Sequence, residues 1–166
     1  MARALFLDRD GVINLEKNYL YKIKDFEFNK GIFDLCKYFK NLNYKIIIIT
    51  NQSGIARGLY SFEDLKNLHD WMVLQFIKNK IIIEKIYFCP HHPEFDCECE
   101  CRKPAPGMIF KARDEFNLNL KKSVLIGDKK TDIIAGKNAG VGNTFLIKTN
   151  KLLSNKNLIN FINEKI

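Results

Sequence analysis

The sequence predicts an α/β protein in which a parallel sheet lies between two layers of helices, a three-layer Rossmann-like fold. Short apolar runs alternate with amphipathic stretches along the whole chain, which is typical of βαβ units. The apolar runs lack polar–apolar alternation, which indicates strands buried on both faces. The 166 residues also fit one domain with a single core. We therefore expect one domain over residues 1–166.

Five strands are predicted at the apolar runs, each rich in Ile, Leu, Val or Phe. In chain order the predicted strands are residues 4–7, 45–49, 85–88, 123–126 and 144–147.

Apolar residues at helical spacing predict three helices between these strands. The stripes are Ile32, Leu35, Phe39 and Leu42, then Leu65, Leu68, Met72 and Phe76, then Ile109, Ala112 and Phe116. Ser61 can cap the second helix, Pro106 suits the entrance of the third, and Asp132 suits the first turn of a fourth. We expect a last helix after residue 150.

The charge balance favours anionic partners. The chain has 27 Lys and Arg against 19 Asp and Glu, a formal net charge of +8, and a positive field concentrates anions. No apolar run approaches the roughly 20 residues that span a bilayer, and no secretory signal opens the chain. We expect a cytoplasmic monomer that binds no membrane.

Polar residues follow the predicted strands, where parallel sheets bind their ligands. Asp8 and Asp10 follow the first strand, Thr50 ends the second, and Asp128 follows the fourth. Carboxylates in this arrangement suit Mg²⁺ and substrate phosphate. Asp8 could attack phosphorus to form an aspartyl-phosphate, Lys103 could offset phosphoryl charge, and Asp10 could act as general acid and base.

Residues 89–106, here called the cysteine loop, fit neither strand nor helix. Four of the five cysteines lie in this loop, and in a reducing compartment such a cluster indicates metal rather than disulfides. Cys-x-His followed by Cys-x-Cys is a donor set that can close a tetrahedral structural zinc site. Zinc would supply the folding energy that the loop lacks, within residues 89–103.

The sequence resembles the haloacid dehalogenase superfamily phosphatases. Residues 7–14 (LDRDGVIN) look like their first motif and Thr50-Asn51 like the second. Lys103 looks like the third motif, and Gly127-Asp128 with Asp132 like the fourth. Within that superfamily, three segments resemble the heptose 1,7-bisphosphate 7-phosphatases: residues 50–58 (TNQSGIARG), 89–93 (CPHHP) and 101–104 (CRKP).

This resemblance implies an enzyme that removes the 7-phosphate of D-glycero-D-manno-heptose 1,7-bisphosphate in ADP- or GDP-heptose biosynthesis, with the anomer left open. It implies Asp8 as nucleophile, Asp10 as acid and base, and Thr50 and Lys103 as phosphoryl ligands. Mg²⁺ would bind Asp8, the backbone carbonyl of Asp10, and Asp128. The implied substrate-binding residues are Glu16, Tyr19, Thr50, Asn51, Gln52, Ser53, Arg102, Lys103 and Lys129.

For zinc, the resemblance implies the ligands Cys89, His91, Cys99 and Cys101. The loop between His91 and Cys99 is short and contains the additional Cys97, so the choice between Cys97 and Cys99 stays open. The chain length leaves no room for a large inserted cap domain, and we expect an open active-site crevice.

Two alternatives remain at this stage. A histidinol-phosphate phosphatase shares the aspartate motifs and the zinc loop. A zinc-supported nucleic-acid-binding protein would use the basic charge, but it has no need of acids at strand ends, so we expect no nucleic-acid partner. A phosphate-binding loop of the nucleotide-dependent kinases and a complete dinucleotide-binding loop are both absent from the sequence.

Overall fold

The computed structural model describes residues 1–152 and 156–164 of the chain, and this part contains five strands and five α-helices. The strands are β1 (Arg3–Leu7), β2 (Tyr44–Asn51), β3 (Ile83–Cys89), β4 (Val124–Gly127) and β5 (Asn143–Leu146). The α-helices are α1 (Ile32–Asn41), α2 (Phe62–Lys78), α3 (Gly107–Phe116), α4 (Lys130–Ala139) and α5 (Lys156–Asn163). Two short 3₁₀ helices are formed by Ile23–Asp25 and Leu120–Lys122.

All strand pairings are parallel, and the strand order in the sheet is β3-β2-β1-β4-β5. The central strand β1 pairs with β2 on one side and β4 on the other, so Leu7 lies beside Ile48 and Ile126. The strand order reverses between β1 and β4, which is where open α/β sheets form their ligand crevices. The residues that follow β1, β2 and β4 therefore meet at one edge of the sheet.

Each face of the sheet carries its own hydrophobic cluster. Leu5 and Leu7 of β1 pack in a cluster with α1, α2 and Leu158 of α5, whereas Ala4 and Phe6 pack in a second cluster with α3 and α4. Alternate residues of the same strand are thus buried on opposite faces. The predicted three-layer fold class is confirmed.

The prediction of burial on both faces holds for β1, β2 and β4 but is wrong for the two outer strands. Glu84 and Lys85 of β3 are exposed, as are Asn143 and Leu146 of β5. Each of these strands lies at an edge of the sheet and has one neighbouring strand. Part of its surface is therefore exposed to solvent. The predicted strand starts two residues later than β3, because the exposed Glu84 interrupts the apolar run after Ile83.

The predicted turn chemistry is present at three helices. Ser61 Oγ accepts from the Asp64 backbone N–H at 3.0 Å, and the Asp64 carboxylate accepts from the Ser61 N–H at 2.8 Å, which forms a capping box. Pro106 is the N-cap of α3, and Asp132 lies in the first turn of α4. The predicted last helix is present as α5, whereas residues 153–155 and 165–166 of the predicted domain lie outside the described residues.

The described residues contain no inserted cap domain. The long connection between β1 and α1 holds one short 3₁₀ helix, and the connection from β3 to α3 holds no helix or strand. Within the same described part of the chain, no helix is long and apolar enough to cross a membrane.

Ile48 provides a test of the central strand, because its side chain is fully buried in β2. We expect Ile48→Ala to lower the free energy of unfolding by about 2–5 kcal/mol, since it removes buried apolar surface and leaves a cavity. Ile82→Ala is the matched control, because Ile82 is 65% exposed and should change stability by less than about 0.5 kcal/mol. Equal losses in chemical denaturation would contradict the described packing.

Candidate active site

A cavity of about 350 Å³ lies at the carboxyl ends of β1 and β2. Its volume suits a small ligand. It is lined by Asp8, Asp10, Glu16, Asn18, Tyr19, Thr50, Asn51, Gln52, Ser53, Arg57, Tyr60, Arg102, Lys103, Lys129, Thr131 and Asp132. The structure therefore brings every predicted substrate-binding residue to one cavity, together with Asp8 and Asp10.

Lys103 is the buried cation at the base of this cavity, with 2% of its surface exposed. Its Nζ lies 2.9 Å from Asp8 Oδ1 and 2.7 Å from Asp132 Oδ1, and it donates to the Ile49 carbonyl at 2.9 Å. Asn51 holds the Lys103 backbone on both sides, since its Nδ2 donates to the Lys103 carbonyl and its Oδ1 accepts from the Lys103 N–H, each at 3.0 Å. The end of β2 thus positions a lysine that belongs to the cysteine loop.

Asp8 lies among more acidic than basic groups. Burial raises the pKa of Asp8 to about 7; Lys103 opposes this shift, and the charges of Asp132 and Asp10 add to it. Burial would lower the pKa of Lys103, but Asp8 and Asp132 outweigh it, so Lys103 stays charged. An excess of buried carboxylates over ammonium groups is a setting that a divalent cation stabilises.

Asp10 points to a different set of partners. Arg9 donates to Asp10 Oδ1 from Nε at 3.2 Å and from Nη2 at 2.9 Å, and Asn14 Nδ2 donates to the same oxygen at 3.0 Å. Gln52 Nε2 donates to Oδ2 at 3.0 Å. Burial opposes ionisation, but Arg9 and these hydrogen bonds outweigh it and hold the pKa of Asp10 below its ordinary value.

Arg9 is fully buried and joins Asp10 to two other parts of the chain. Its Nη2 donates to the Leu20 carbonyl at 2.8 Å, and its Nη1 lies 3.1 Å from His69 Nε2 in α2. Burial and the neighbouring Arg9 charge lower the pKa of His69 to about 3. The His69 ring is therefore neutral and accepts from Arg9 through Nε2.

Three carboxylates form a candidate magnesium site. Oxygens of Asp8, Asp128 and Asp132 lie within 4.8 Å of one another. Asp128 Oδ2 accepts from the Thr149 hydroxyl at 2.7 Å, whereas Asp128 Oδ1 is buried with no hydrogen-bond partner in the described residues. Gly11 has a φ of +84°, and a Cβ there would lie 2.2 Å from Asp128 Oδ2, so the turn after β1 leaves room for this carboxylate. The donor set fits Mg²⁺.

The structure distinguishes Asp10 and Asp132 in this site. The Asp10 carboxylate does not belong to the three-carboxylate group. The predicted metal ligand of Asp10 therefore stays its backbone carbonyl. Asp132 does belong to it, although its oxygens also contact Lys103 Nζ at 2.7 Å and accept from the Lys129 N–H at 2.9 Å. Asp132 is thus tied to the buried lysine and to the start of α4.

The cysteine loop holds two neighbouring groups of metal-binding side chains. Cys89, Cys99 and Cys101 form one group, with sulfur–sulfur distances of 2.7–3.4 Å. His91 lies in the other group, where its Nδ1 is 2.6 Å from Asp96 Oδ2 and 3.4 Å from Cys97 Sγ. Three of the four predicted zinc ligands are therefore together, and the three thiols fit zinc. His91 faces Asp96 and the additional Cys97 instead.

The remaining predicted residues line the wall of the cavity. Glu16 Oε2 and Lys129 Nζ form an ion pair at 3.3 Å, and Arg102 Nη1 donates to the His91 carbonyl at 3.1 Å. Lys129 is the N-cap residue of α4. Cys36 lies in α1 and is fully buried in the hydrophobic core.

Sequence reasoning assigned no function to several residues that complete the site. Arg9 and His69 hold Asp10, and Tyr60 donates to Gln52 Oε1 at 2.6 Å. Arg57 lines the cavity. The position of Arg9 between two acids at the end of a buried strand could have indicated an ion pair, but nothing local to His69 indicates Arg9 as its partner.

The chain is similar to known phosphatases over nearly its whole length. The HAD-hydrolase-like family model matches residues 100–157. A D-glycero-α-D-manno-heptose-1,7-bisphosphate 7-phosphatase of Campylobacter jejuni is 50% identical, over 98% of this chain and 97% of the relative. A D-glycero-β-D-manno-heptose-1,7-bisphosphate 7-phosphatase of Helicobacter pylori is 46% identical, over 90% of this chain and 86% of the relative.

A solved structure has the same fold. The D,D-heptose 1,7-bisphosphate phosphatase from B. bronchiseptica, complexed with magnesium and phosphate, matches with a TM-score of 0.81 and 29% identity, over 94% of this chain and 86% of that one. The similarities in sequence and in fold each cover 90% or more of this chain. The chain belongs to the heptose-1,7-bisphosphate 7-phosphatase family of HAD phosphatases.

Proposed function

We propose that this protein is a Mg²⁺-dependent phosphatase that removes the 7-phosphate of D-glycero-D-manno-heptose 1,7-bisphosphate. One observation carries the proposal: Asp8 lies in the cavity with Lys103 at 2.9 Å and two further carboxylates within 4.8 Å, in a chain that is 50% identical to a named enzyme of this activity. The product would serve ADP- or GDP-heptose biosynthesis.

Thr50 and Lys103 are the proposed ligands of the transferring phosphoryl group. Gln52 Nε2 donates to Thr50 Oγ1 at 2.9 Å, so the Thr50 hydroxyl can direct its own hydrogen to a phosphoryl oxygen. Lys103 carries its charge beside Asp8. Donors and cations fixed before the reaction stabilise developing negative charge without reorganisation.

Asp8 is the proposed nucleophile. One of its carboxylate oxygens attacks phosphorus, the bond from phosphorus to the sugar oxygen breaks, and Asp10 protonates that oxygen. Asp10 then takes a proton from water as the water attacks the aspartyl-phosphate, which releases phosphate and restores Asp8. When bound at Asp8, the Asp10 carbonyl and Asp128, Mg²⁺ supplies positive charge to the phosphoryl oxygens.

The hydrogen bonds around Asp10 favour its ionised form and therefore its role as base. To act as acid it must carry a proton, and the oxygen for that proton is Oδ2, which Arg9 does not contact and which accepts from Gln52, a residue that lines the cavity. Arg9 and His69 are proposed positioning residues. Arg9 contacts Oδ1 of Asp10, and His69 holds Arg9 in that position. The other oxygen, Oδ2, is left to react in the cavity.

We propose zinc as a structural ion of the cysteine loop. The three clustered thiols support this assignment, and the fourth ligand is His91 or Cys97. The Asp96 carboxylate 2.6 Å from His91 Nδ1 is the kind of outer partner that orients a histidine ligand. In that case Nδ1 carries hydrogen, and Nε2 is the atom left for zinc.

The proposed enzyme acts as a single domain and as a monomer in the cytoplasm. The cavity contains every proposed catalytic group within one chain, which supports a monomer. Clustered cysteines that bind a metal instead of forming disulfides are typical of a reducing compartment. A phosphorylated sugar is the proposed partner, with no nucleic acid and no membrane.

The assignment is tested by phosphatase assays, with and without Mg²⁺, on both anomers of the heptose bisphosphate. Histidinol phosphate is assayed separately as the alternative substrate. We expect heptose bisphosphate turnover that requires Mg²⁺, and a loss of at least about 1,000-fold in Asp8→Asn, because the amide is not a nucleophile. Asp114→Asn is the matched control, since Asp114 pairs with Arg113 on an exposed helix surface. A higher kcat/KM for histidinol phosphate would refute the substrate assignment.

Zinc is tested by metal analysis of the purified protein. We expect about one zinc per chain in the wild type, and its loss in Cys101→Ser together with a lower melting temperature, because metal binding contributes folding energy. Cys97→Ser keeps the metal if His91 is the fourth ligand and loses it if Cys97 is. Cys36→Ala, which removes a thiol outside the loop, is the control. Full zinc content in Cys101→Ser contradicts the ligand set.

The positioning role of His69 is tested by two substitutions. We expect His69→Leu to lower the free energy of unfolding by about 1–3 kcal/mol, since the buried Arg9 N–H loses its acceptor, and to lower kcat more than it changes KM. His69→Gln retains an acceptor and should recover most of both losses. If the leucine and glutamine variants have the same unfolding free energy and kcat, His69 does not position Asp10 through Arg9.

A further inference from the structure

Arg57 lies in the turn after β2 and lines the active-site cavity, yet the proposed mechanism assigns it no role. Its guanidinium lies 4.2 Å from the centre of the Phe95 ring and 5.5 Å from the centre of the Tyr19 ring. Its Nη2 is 3.3 Å from His92 Nε2. Two residues of the cysteine loop and one from the segment after β1 therefore hold this side chain.

The cations of the cavity differ in their partners. Lys103 is paired with Asp8 and Asp132, and Lys129 is paired with Glu16. Among the ion pairs found between described residues, none includes Arg57 or Arg102. These two arginines are therefore the cavity cations whose charge is not offset by a carboxylate contact in this part of the chain.

Consecutive residues of the cysteine loop hold the two arginines. Arg102 Nη1 donates to the His91 carbonyl at 3.1 Å, and Arg57 Nη2 contacts the side chain of His92. Both guanidinium groups, one from the turn after β2 and one from the residue before Lys103, therefore line the same cavity and contact the same loop. Because Lys103 is committed to the phosphoryl group on Asp8, the arginines are available to a second anionic group of the same ligand.

We propose that Arg57 is a specificity-determining residue that binds, together with Arg102, the phosphate group that the enzyme does not hydrolyse. This inference rests on the proposed function, because it requires a substrate with two phosphates. Stacking on Phe95 fixes the guanidinium plane, and a planar fork of N–H donors matches the oxygens of a phosphate.

The hydrogen bonding of Arg57 supports this role. Its Nε is buried and has no hydrogen-bond partner among the described residues. A buried donor without an acceptor is costly. A phosphate bound against the guanidinium supplies acceptor oxygens, and a sugar hydroxyl in the same place supplies a weaker one.

The test compares two substrates in the intact enzyme. Arg57→Gln should lower the ratio of kcat/KM for heptose bisphosphate to kcat/KM for 4-nitrophenyl phosphate by about 10–100-fold, the effect of losing one charge-assisted contact. The loss should appear as a raised KM for the bisphosphate. Arg57→Lys should recover part of the ratio, since it keeps the charge without the fork. Arg113→Gln, which removes an arginine from an exposed helix surface, should leave the ratio unchanged.

Each result decides the proposal. An unchanged ratio in Arg57→Gln overturns it, and so does an equal loss on both substrates, which would mark a structural role. If Arg57→Gln fails to fold, Arg57→Lys and Phe95→Leu give the same comparison. If the wild type hydrolyses 4-nitrophenyl phosphate but not heptose bisphosphate, the proposed function fails separately. Inhibition of 4-nitrophenyl phosphate hydrolysis by fructose 1,6-bisphosphate then tests Arg57, and equal inhibition of wild type and Arg57→Gln overturns the assignment.

Discussion

The Lys103 ammonium between Asp8 and Asp132 joins the three parts of the chain on which the site depends. Asp8 follows β1, Asp132 lies in the first turn of α4, and Lys103 comes from the cysteine loop. Removing ions from water is expensive, and a buried charge that loses its partner is strongly destabilising. The loop therefore cannot move away from the sheet without leaving two carboxylates unpaired. The two backbone hydrogen bonds from Asn51 to Lys103 attach the loop to the end of β2 at the same point.

Arg9 is a second buried cation, and it gives Asp10 surroundings that differ from those of Asp8. Lys103 faces Asp8, whose pKa is raised to about 7, whereas Arg9 faces Asp10, whose pKa is lowered. These carboxyl groups are two residues apart in sequence but contact different partners, because the chain turns at Arg9 directly after β1 ends. The opposite pKa shifts show that the two carboxyl groups lie in different electrostatic surroundings. The buried contact between Arg9 and His69 connects the surroundings of Asp10 to α2.

The sheet and its polar edge could be predicted from the sequence because they depend on local patterns. Apolar runs give the strands, and the residues that follow them, such as Asp8 and Asp128, must meet when the strands are parallel. The contact between Arg9 and His69 could not be predicted, since it joins residues 60 positions apart and depends on how α2 packs on the sheet. The placement of His91 with Asp96 rather than with the three thiols is also a property of the folded loop. Spacing alone does not distinguish those partners.

Since no cap domain is present among residues 1–152 and 156–164, the active site must obtain its selectivity from the side chains at its mouth. Here the mouth is formed by the segment around Tyr19, the turn that carries Arg57, and the cysteine loop. These segments have little regular structure, so the contacts between them must fix their geometry. Arg57 makes three such contacts, and two of them are with the cysteine loop. The contacts that hold the cysteine loop in place therefore also determine where the mouth presents positive charge.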